Sequence, residues 1–202
     1  MNDHYFHETP NAPSDPCEIE VDVRGLQFKL VSDRGVFSRE HADTGTLLLA
    51  KTVEFPESGD ILDLGCGYGL LGIVAAALCP QGQVVLVDIN ERAAELARAN
   101  CKRLLLRNAE VLTGDARTVL GERRFDLVMC NPPYRAGKAL VMGLLEDAAK
   151  RLRPGGALWL VGRTKLGIRT LGRDVTPLFD SFEMVRIKGG FRVMVGRRAT
   201  EP

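Results

Sequence analysis

A chain of 202 residues with 45% hydrophobic and 26% charged side chains can bury one sizeable core, which excludes a disulfide-dependent miniprotein or a largely disordered chain. Its net charge of +1 conceals a division, because residues 1–100 carry 7 Lys and Arg against 16 Asp and Glu, and residues 101–202 carry 20 against 10. The apolar runs are too short to span a membrane, and the start Met1-Asn2-Asp3-His4-Tyr5-Phe6-His7 lacks the basic end and apolar centre of a signal peptide, so a cytoplasmic protein is expected.

In chain order, residues 1–16 contain Pro10, Pro13 and Pro16 and read as an extended arm. Glu18 to Val23 and Leu26 to Leu30 alternate polar with apolar residues around Arg24-Gly25, which predicts a small hairpin over 17–31. Asp43-Thr44 is placed to cap a helix carrying Leu47, Leu48 and Leu49. From Asp60 onward, apolar runs at 60–64, 83–88, 110–113, 125–131 and 156–162 alternate with helix-like segments Leu70 to Leu78, Glu91 to Arg103 and Lys138 to Leu152. That alternation predicts a mostly parallel sheet with helices on both faces. Arg153-Pro154-Gly155-Gly156 is a stop signal, and a weak helix near 166–179 precedes two strands, 181–188 and 191–197. Gly189-Gly190 between them predicts a tight antiparallel hairpin at one end of the sheet. The expected organisation is a single α/β domain over 1–202, with the arm at 1–16, the hairpin at 17–31 and a core at 42–202.

Cys17, Cys66, Cys79, Cys101 and Cys130 are widely spaced and form no CxxC pair, and His4, His7 and His41 lack the i, i+4 spacing of helical metal ligands. Neither a disulfide framework nor a metal site is suggested.

Asp63-Leu64-Gly65-Cys66-Gly67-Tyr68-Gly69 carries a strand into a glycine-rich turn ahead of a helix, where backbone can approach a ligand closely. Asp63 can attract an ammonium group. Asp88, at the tip of the adjacent strand, is placed to accept the hydroxyls of a ribose, and Gly114-Asp115-Ala116 follows the third strand, where it can meet an adenine amino group. Two other readings stand beside this one. Gly67-x-Gly69-x-x-Gly72 fits the dinucleotide fingerprint of nicotinamide and flavin proteins, and Asp88-Ile89-Asn90-Glu91 can be a helix cap.

Asn131-Pro132-Pro133-Tyr134 ends the run 125–130 with a polar carbonyl, two rigid residues and an aromatic. An amino group can donate to Asn131 Oδ1 and the Pro132 backbone oxygen while Tyr134 stacks on the ring that bears it. The plain alternative is a proline-stiffened strand end. Arg135 and Lys138 are placed to meet RNA phosphates, or form a solvated loop and helix start. Phe37 either lines the pocket or packs under the loop.

Together the 63–69 turn, Asp88, Gly114-Asp115 and Asn131 to Tyr134 resemble the class I S-adenosylmethionine-dependent methyltransferases. Ser32 to Ser38 with Asp43-Thr44-Gly45-Thr46 is similar to the segment preceding the cofactor loop in ribosomal small-subunit guanine-N2 methyltransferases. Single-domain bacterial relatives of these look similar in His4-Tyr5-Phe6, in 131–138 and in Lys188-Gly189-Gly190. The resemblance implies a Rossmann-like seven-stranded, mostly parallel sheet with a C-terminal antiparallel hairpin. It implies S-adenosylmethionine as cofactor, with Asp63, Gly65, Cys66, Gly67 and Gly69 at the methionine end, Asp88 and Ile89 at the ribose, Asp115 and Ala116 at the adenine, and Asn131 between cofactor and substrate. The implied catalytic residues are Asn131, Pro132 and Tyr134, and the implied substrate residues are Phe37, Pro133, Tyr134, Arg135 and Lys138. The implied partner is ribosomal RNA or a ribosomal subunit, with no membrane and no metal. The same four-residue motif also resembles that of enzymes methylating a glutamine amide in release factors and of adenine-N6 methyltransferases. A catalytically silent RNA-binding module is the alternative from another class. The two-domain guanine enzymes carry an additional amino-terminal domain of similar fold, so substrate recognition by that domain does not transfer to this chain.

Overall fold

A computed structural model describes residues 13–200; the His4-Tyr5-Phe6 start and most of the expected arm lie outside the described residues. Strands β1 (Cys17–Val23) and β2 (Leu26–Ser32) form the expected hairpin in one unbroken antiparallel ladder. Helix α1 (Thr44–Thr52) follows, capped by the Asp43 carboxylate on the Thr46 N–H. The main sheet is built from β3 (Asp60–Leu64), β4 (Gln83–Asp88), β5 (Ala109–Thr113), β6 (Phe125–Cys130), β7 (Leu152–Arg163), β8 (Ser181–Lys188) and β9 (Phe191–Arg197). Between these lie α2 (Leu70–Leu78), α3 (Glu91–Arg103), α4 (Ala116–Val119), α5 (Lys138–Lys150) and α6 (Ile168–Val175). The strand order is β5-β4-β3-β6-β7-β9-β8, and β9 runs opposite to the other six strands.

Alternation along each strand divides the core into two layers. Ile61, Val84, Leu86, Leu127, Met129, Trp159 and Val161 face α1, α2, α3 and the small hairpin. Leu62, Leu64, Val85, Val87, Val128, Leu158 and Leu160 face α4, α5 and α6. Asp63 has the parity of Ile61 and therefore points into the first apolar layer, where it is 1% exposed. Asn100 of α3 is as deeply buried, and it acts as a surrogate strand. Its Oδ1 accepts from Val31 N at 2.8 Å, and its Nδ2 donates to Val31 O at 2.9 Å and to Tyr68 O at 3.0 Å, so one amide joins β2, α3 and the glycine loop.

Several boundaries depart from expectation for identifiable reasons. The helix from Lys138 ends at Lys150, because Leu152 already pairs with Phe125 as the first residue of β7. Arg153 to Gly156 then bulge out before pairing resumes at Leu127 and Ala157, and the bulge aims Arg153 at Asp60 (2.5 Å) and Asp126 (2.6 Å). Strand β6 stops at Cys130, ahead of two residues that have no N–H for a ladder. The weak helix at 166–179 is broken: α6 is bounded by Gly167, at φ 84°, and by a 3-10 turn at Thr176–Leu178 that contains Pro177.

Candidate active site

The chain leaves β3 toward β4 and β5 and returns as β6 on the opposite side of β3. Open α/β sheets bind ligands in the crevice at the carboxyl ends of strands that diverge in this way. Leu64 pairs with Cys130, so the glycine turn and Asn131 leave the sheet side by side.

Gly65 and Gly67 hold φ of 74° and 57°, and a Cβ at either would meet nothing within 4 Å. The glycines are thus required by conformation, and the space over the turn is open. Gly72 serves another purpose, since a Cβ there would collide with Leu86 and push α2 off the sheet. Beneath the turn, Asp63 Oδ2 accepts from Gly72 N at 2.8 Å, whereas Oδ1 is buried without a hydrogen-bond partner. Burial pushes its carboxyl up to about 7, outweighing the Gly72 bond, and the Asp88 charge adds to the rise.

Asp88 accepts from Gly67 N at 2.8 Å and Asn90 N at 2.9 Å, and burial raises its carboxyl against those bonds. The cap of α3 is Asn90, whose Oδ1 accepts from Ala93 N, so the capping reading of Asp88 is corrected. Asp115 caps α4, and the Arg117 guanidinium holds its carboxyl below the usual range. Cys66 and Ala116 are buried beneath these polar groups, and Ile89 is exposed beside Asp88. Phe37 does not pack under the loop: it is 49% exposed, and its neighbour Val36 is the buried residue. Asn90 Nδ2 donates to Gly35 O at 3.0 Å, which docks this segment beside Asp88.

At the other side of the crevice, Asn131 Nδ2 donates to Thr46 Oγ1 (2.9 Å) and to Asp43 Oδ2 (3.2 Å), while Thr46 Oγ1 donates to the same Asp43 oxygen. The relay has a direction. A carboxylate only accepts, so the Thr46 hydroxyl gives its proton to Asp43 and turns a lone pair toward Asn131. The amide must therefore present NH2 to the relay and Oδ1 to the other side, where Oδ1 accepts nothing from the described residues. Pro132 O, expected as the second acceptor, already receives the Tyr134 N–H at 2.9 Å in an inverse γ-turn about Pro133 and keeps one lone pair. Tyr134 donates to Val161 O at 2.9 Å, and its ring lies against Gly162, where a Cβ would strike it. Burial raises its phenol well above the usual range. Arg135 is exposed, whereas Lys138 is paired with Asp174 at 2.7 Å.

Asp43 and Thr46 are the members that sequence reasoning did not assign to the site. The sequence marks Asp43 as a helix cap and sets both residues in the segment that resembles the one before the cofactor loop, without a role for either. Asp43→Ala is expected to lower kcat by roughly 10–100-fold with KM for the cofactor unchanged, and to destabilise the fold by about 1 kcal/mol through the lost cap. Steady-state kinetics combined with urea unfolding separates the two effects; an unchanged kcat would remove the relay from the site.

The chain belongs to the methyltransferase small domain family, whose model matches residues 27–195. Its fold is that of the class I S-adenosylmethionine-dependent methyltransferases, and S-adenosylmethionine is the cofactor. It is 34% identical over 200 residues to the uncharacterized protein YbxB of Bacillus subtilis, covering 98% of this chain and 100% of that one. It is 32% identical over 193 residues to ribosomal RNA large subunit methyltransferase G of Ectopseudomonas mendocina, covering 93% of this chain and 51% of the relative. Among solved structures, the Thermus thermophilus 16S rRNA N2 G1207 methyltransferase RsmC, in complex with AdoMet and guanosine, superposes with a TM-score of 0.78 at 27% identity, covering 94% of this chain and 52% of that one. The chain therefore spans about half the length of these ribosomal RNA methyltransferases.

The residues fit the cofactor. Asp63 Oδ1 is an orphaned buried acceptor at the foot of the glycine turn, as a cationic ammonium partner requires, and the turn leaves room above its backbone. Among the described residues no cluster of His, Cys, Asp and Glu has the arrangement of a metal site, and no helix is long and apolar enough to cross a membrane.

Proposed function

We propose that this protein methylates an exocyclic amino nitrogen of a base in ribosomal RNA, with guanine N2 as the acceptor. The observation that carries the reading is the fixed orientation of the Asn131 amide, which leaves Oδ1 as an acceptor at the mouth of the cofactor crevice. An exocyclic amine has its lone pair delocalised into the ring. Accepting its N–H bonds at Asn131 Oδ1 and at the free lone pair of Pro132 O favours a pyramidal nitrogen with the pair localised. Holding the nitrogen in line supplies part of the barrier reduction, which reaches about 7–11 kcal/mol in well-oriented intramolecular reactions. When bound, S-adenosylmethionine supplies an electrophilic methyl, so that the nitrogen–carbon bond forms as the carbon–sulfur bond breaks and the surplus proton leaves nitrogen for solvent.

In this reading Asp63 and the turn Gly65, Cys66, Gly67 and Gly69 hold the methionine part. Asp88 with Ile89 holds the ribose, and Asp115 with Ala116 holds the adenine. Phe37, Pro133 and Tyr134 bound the base, and Arg135 meets the adjoining backbone. Lys138 contributes less, since Asp174 already neutralises it. Residues 42–202 form the catalytic core, and the 17–31 hairpin braces α3 behind the cofactor loop. Guanine is favoured over adenine and over a glutamine amide because the chain superposes on a guanine-N2 enzyme over most of its length.

Incubation with tritiated cofactor and ribosomal subunits, free ribosomal RNA or release factor, followed by digestion to nucleosides or amino acids, tests this directly. Label is expected in N2-methylguanosine. Label in N6-methyladenosine or N-methylglutamine would replace the acceptor, and absence of transfer would overturn the activity.

A further inference from the structure

Charged groups differ between the two sides of the strand order. The carboxyl ends of β3, β4 and β5 carry Asp63, Asp88 and Asp115. The end of β7 and the β8–β9 turn carry Arg163, Lys165 and Lys188, and the stretch Arg163 to Arg173 holds four cations and no carboxylate. Arg163 and Lys188 lie close together, and Lys165 follows Arg163 by two residues. Arg163 and Lys188 both pair with Phe191, one from each side of β9, so they stand two strand spacings apart, about 10 Å. The Arg163 guanidinium lies over the Phe191 ring at 4.6 Å, and Thr164 N donates to Gly190 O at 2.9 Å, which fastens the two turns together. Arg163, Lys165, Arg169 and Lys188 are exposed, and none has a carboxylate within 4.0 Å among the described residues. Leu166 stands among them, 45% exposed. The patch adjoins the acceptor corner, because Tyr134 is clamped to Val161 and Gly162, immediately before Arg163.

We infer that Arg163, Lys165 and Lys188 grip the phosphodiester backbone of RNA beside the target base. This rests on the ribosomal RNA reading above. Uncompensated cations at the rim displace the counterions condensed on RNA and draw its backbone to the edge of the crevice beside Asn131. Leu166 supplies an apolar contact to a sugar or base.

The test compares the wild-type protein with the triple variant Arg163→Gln, Lys165→Gln, Lys188→Gln. It measures cofactor affinity, kcat/KM on ribosomal RNA, and RNA affinity between about 50 and 200 mM salt, the range over which phosphate contacts are read. Cofactor affinity is expected to hold, while the log–log salt slope becomes shallower by about 2–3, at roughly 0.7–0.9 per lost contact. RNA affinity and kcat/KM should fall by at least tenfold. The charge-conserving triple Arg163→Lys, Lys165→Arg, Lys188→Arg should restore both. An unchanged slope, or a failure of the charge-conserving variant to rescue, overturns the patch and leaves the RNA reading standing. A wild-type protein that transfers no methyl to RNA overturns both.

Discussion

Asn131→Ala should reduce turnover by roughly 10³-fold, the order seen when one preorganised polar group is removed from a reacting centre. Its effect on cofactor binding should be small. The alanine takes away the acceptor oxygen and leaves the Thr46 hydroxyl and Asp43 carboxylate intact, with Asp43 still capping α1. Methyl transfer under saturating cofactor and RNA, set beside calorimetric cofactor affinity, distinguishes a chemical role from a binding one. A variant that turns over at a near-normal rate would refute the acceptor geometry, and with it the reason for assigning an amino nitrogen as substrate.

Asp63→Asn should make the cofactor-free protein more stable at pH 8 and weaken its hold on S-adenosylmethionine. An unfolded Asp63 ionises near 3.8, whereas burial in the fold raises that value to about 7. Between those values the folded chain holds a proton that the unfolded chain has lost, so stability falls as pH rises from about 4 to 7 and is level above. At about 1.36 kcal/mol per pH unit, the ionised carboxylate costs the free protein on the order of 4 kcal/mol. Asparagine removes that charge but leaves an unpaired N–H near the position of Oδ1, at about 1–3 kcal/mol. The net gain is roughly 1–3 kcal/mol, a rise in Tm of several degrees for a chain of this size. The charge is useful only when a cation arrives, so the wild-type protein should bind cofactor more tightly as pH rises through about 7. Scanning calorimetry at pH 5 and pH 8, with and without S-adenosylmethionine, reads both effects. A variant less stable than wild type at pH 8, with the same pH dependence, would mean that Asp63 is not the isolated charge its surroundings make it.

Much of the fold was legible because its signals are local. The apolar runs at 60–64 and 83–88, the two-glycine turn at 189–190 and the Asp43 cap each act within a few residues, and each appears where those residues predict it. The rest depended on partners supplied by distant chain. Lys138 read as a free cation until Asp174 reached it, and Phe37 had two destinations until Val36 took the buried one. The stop at Arg153 to Gly156 was legible as an interruption. Its role as a bulge carrying a cation to Asp60 and Asp126 was not, because both acceptors lie on other strands.

The residues of the site behave the same way. The sequence alone determined that Asn131 ends a buried strand, that glycines open the space above the first strand of the sheet, and that acids close the next two strands in the chain, since pleat period and turn conformation follow from adjacent side chains. Only the tertiary structure decided which oxygen of the site faces outward and which carboxylate lacks a partner. Hydrogen-bond direction at Asn131 is set by Asp43 and Thr46, more than 80 residues earlier in the chain, and the ionisation of Asp63 is set by helices that close over it. Both are properties of an enclosure, and the enclosure exists only once β6 has come to lie beside β3.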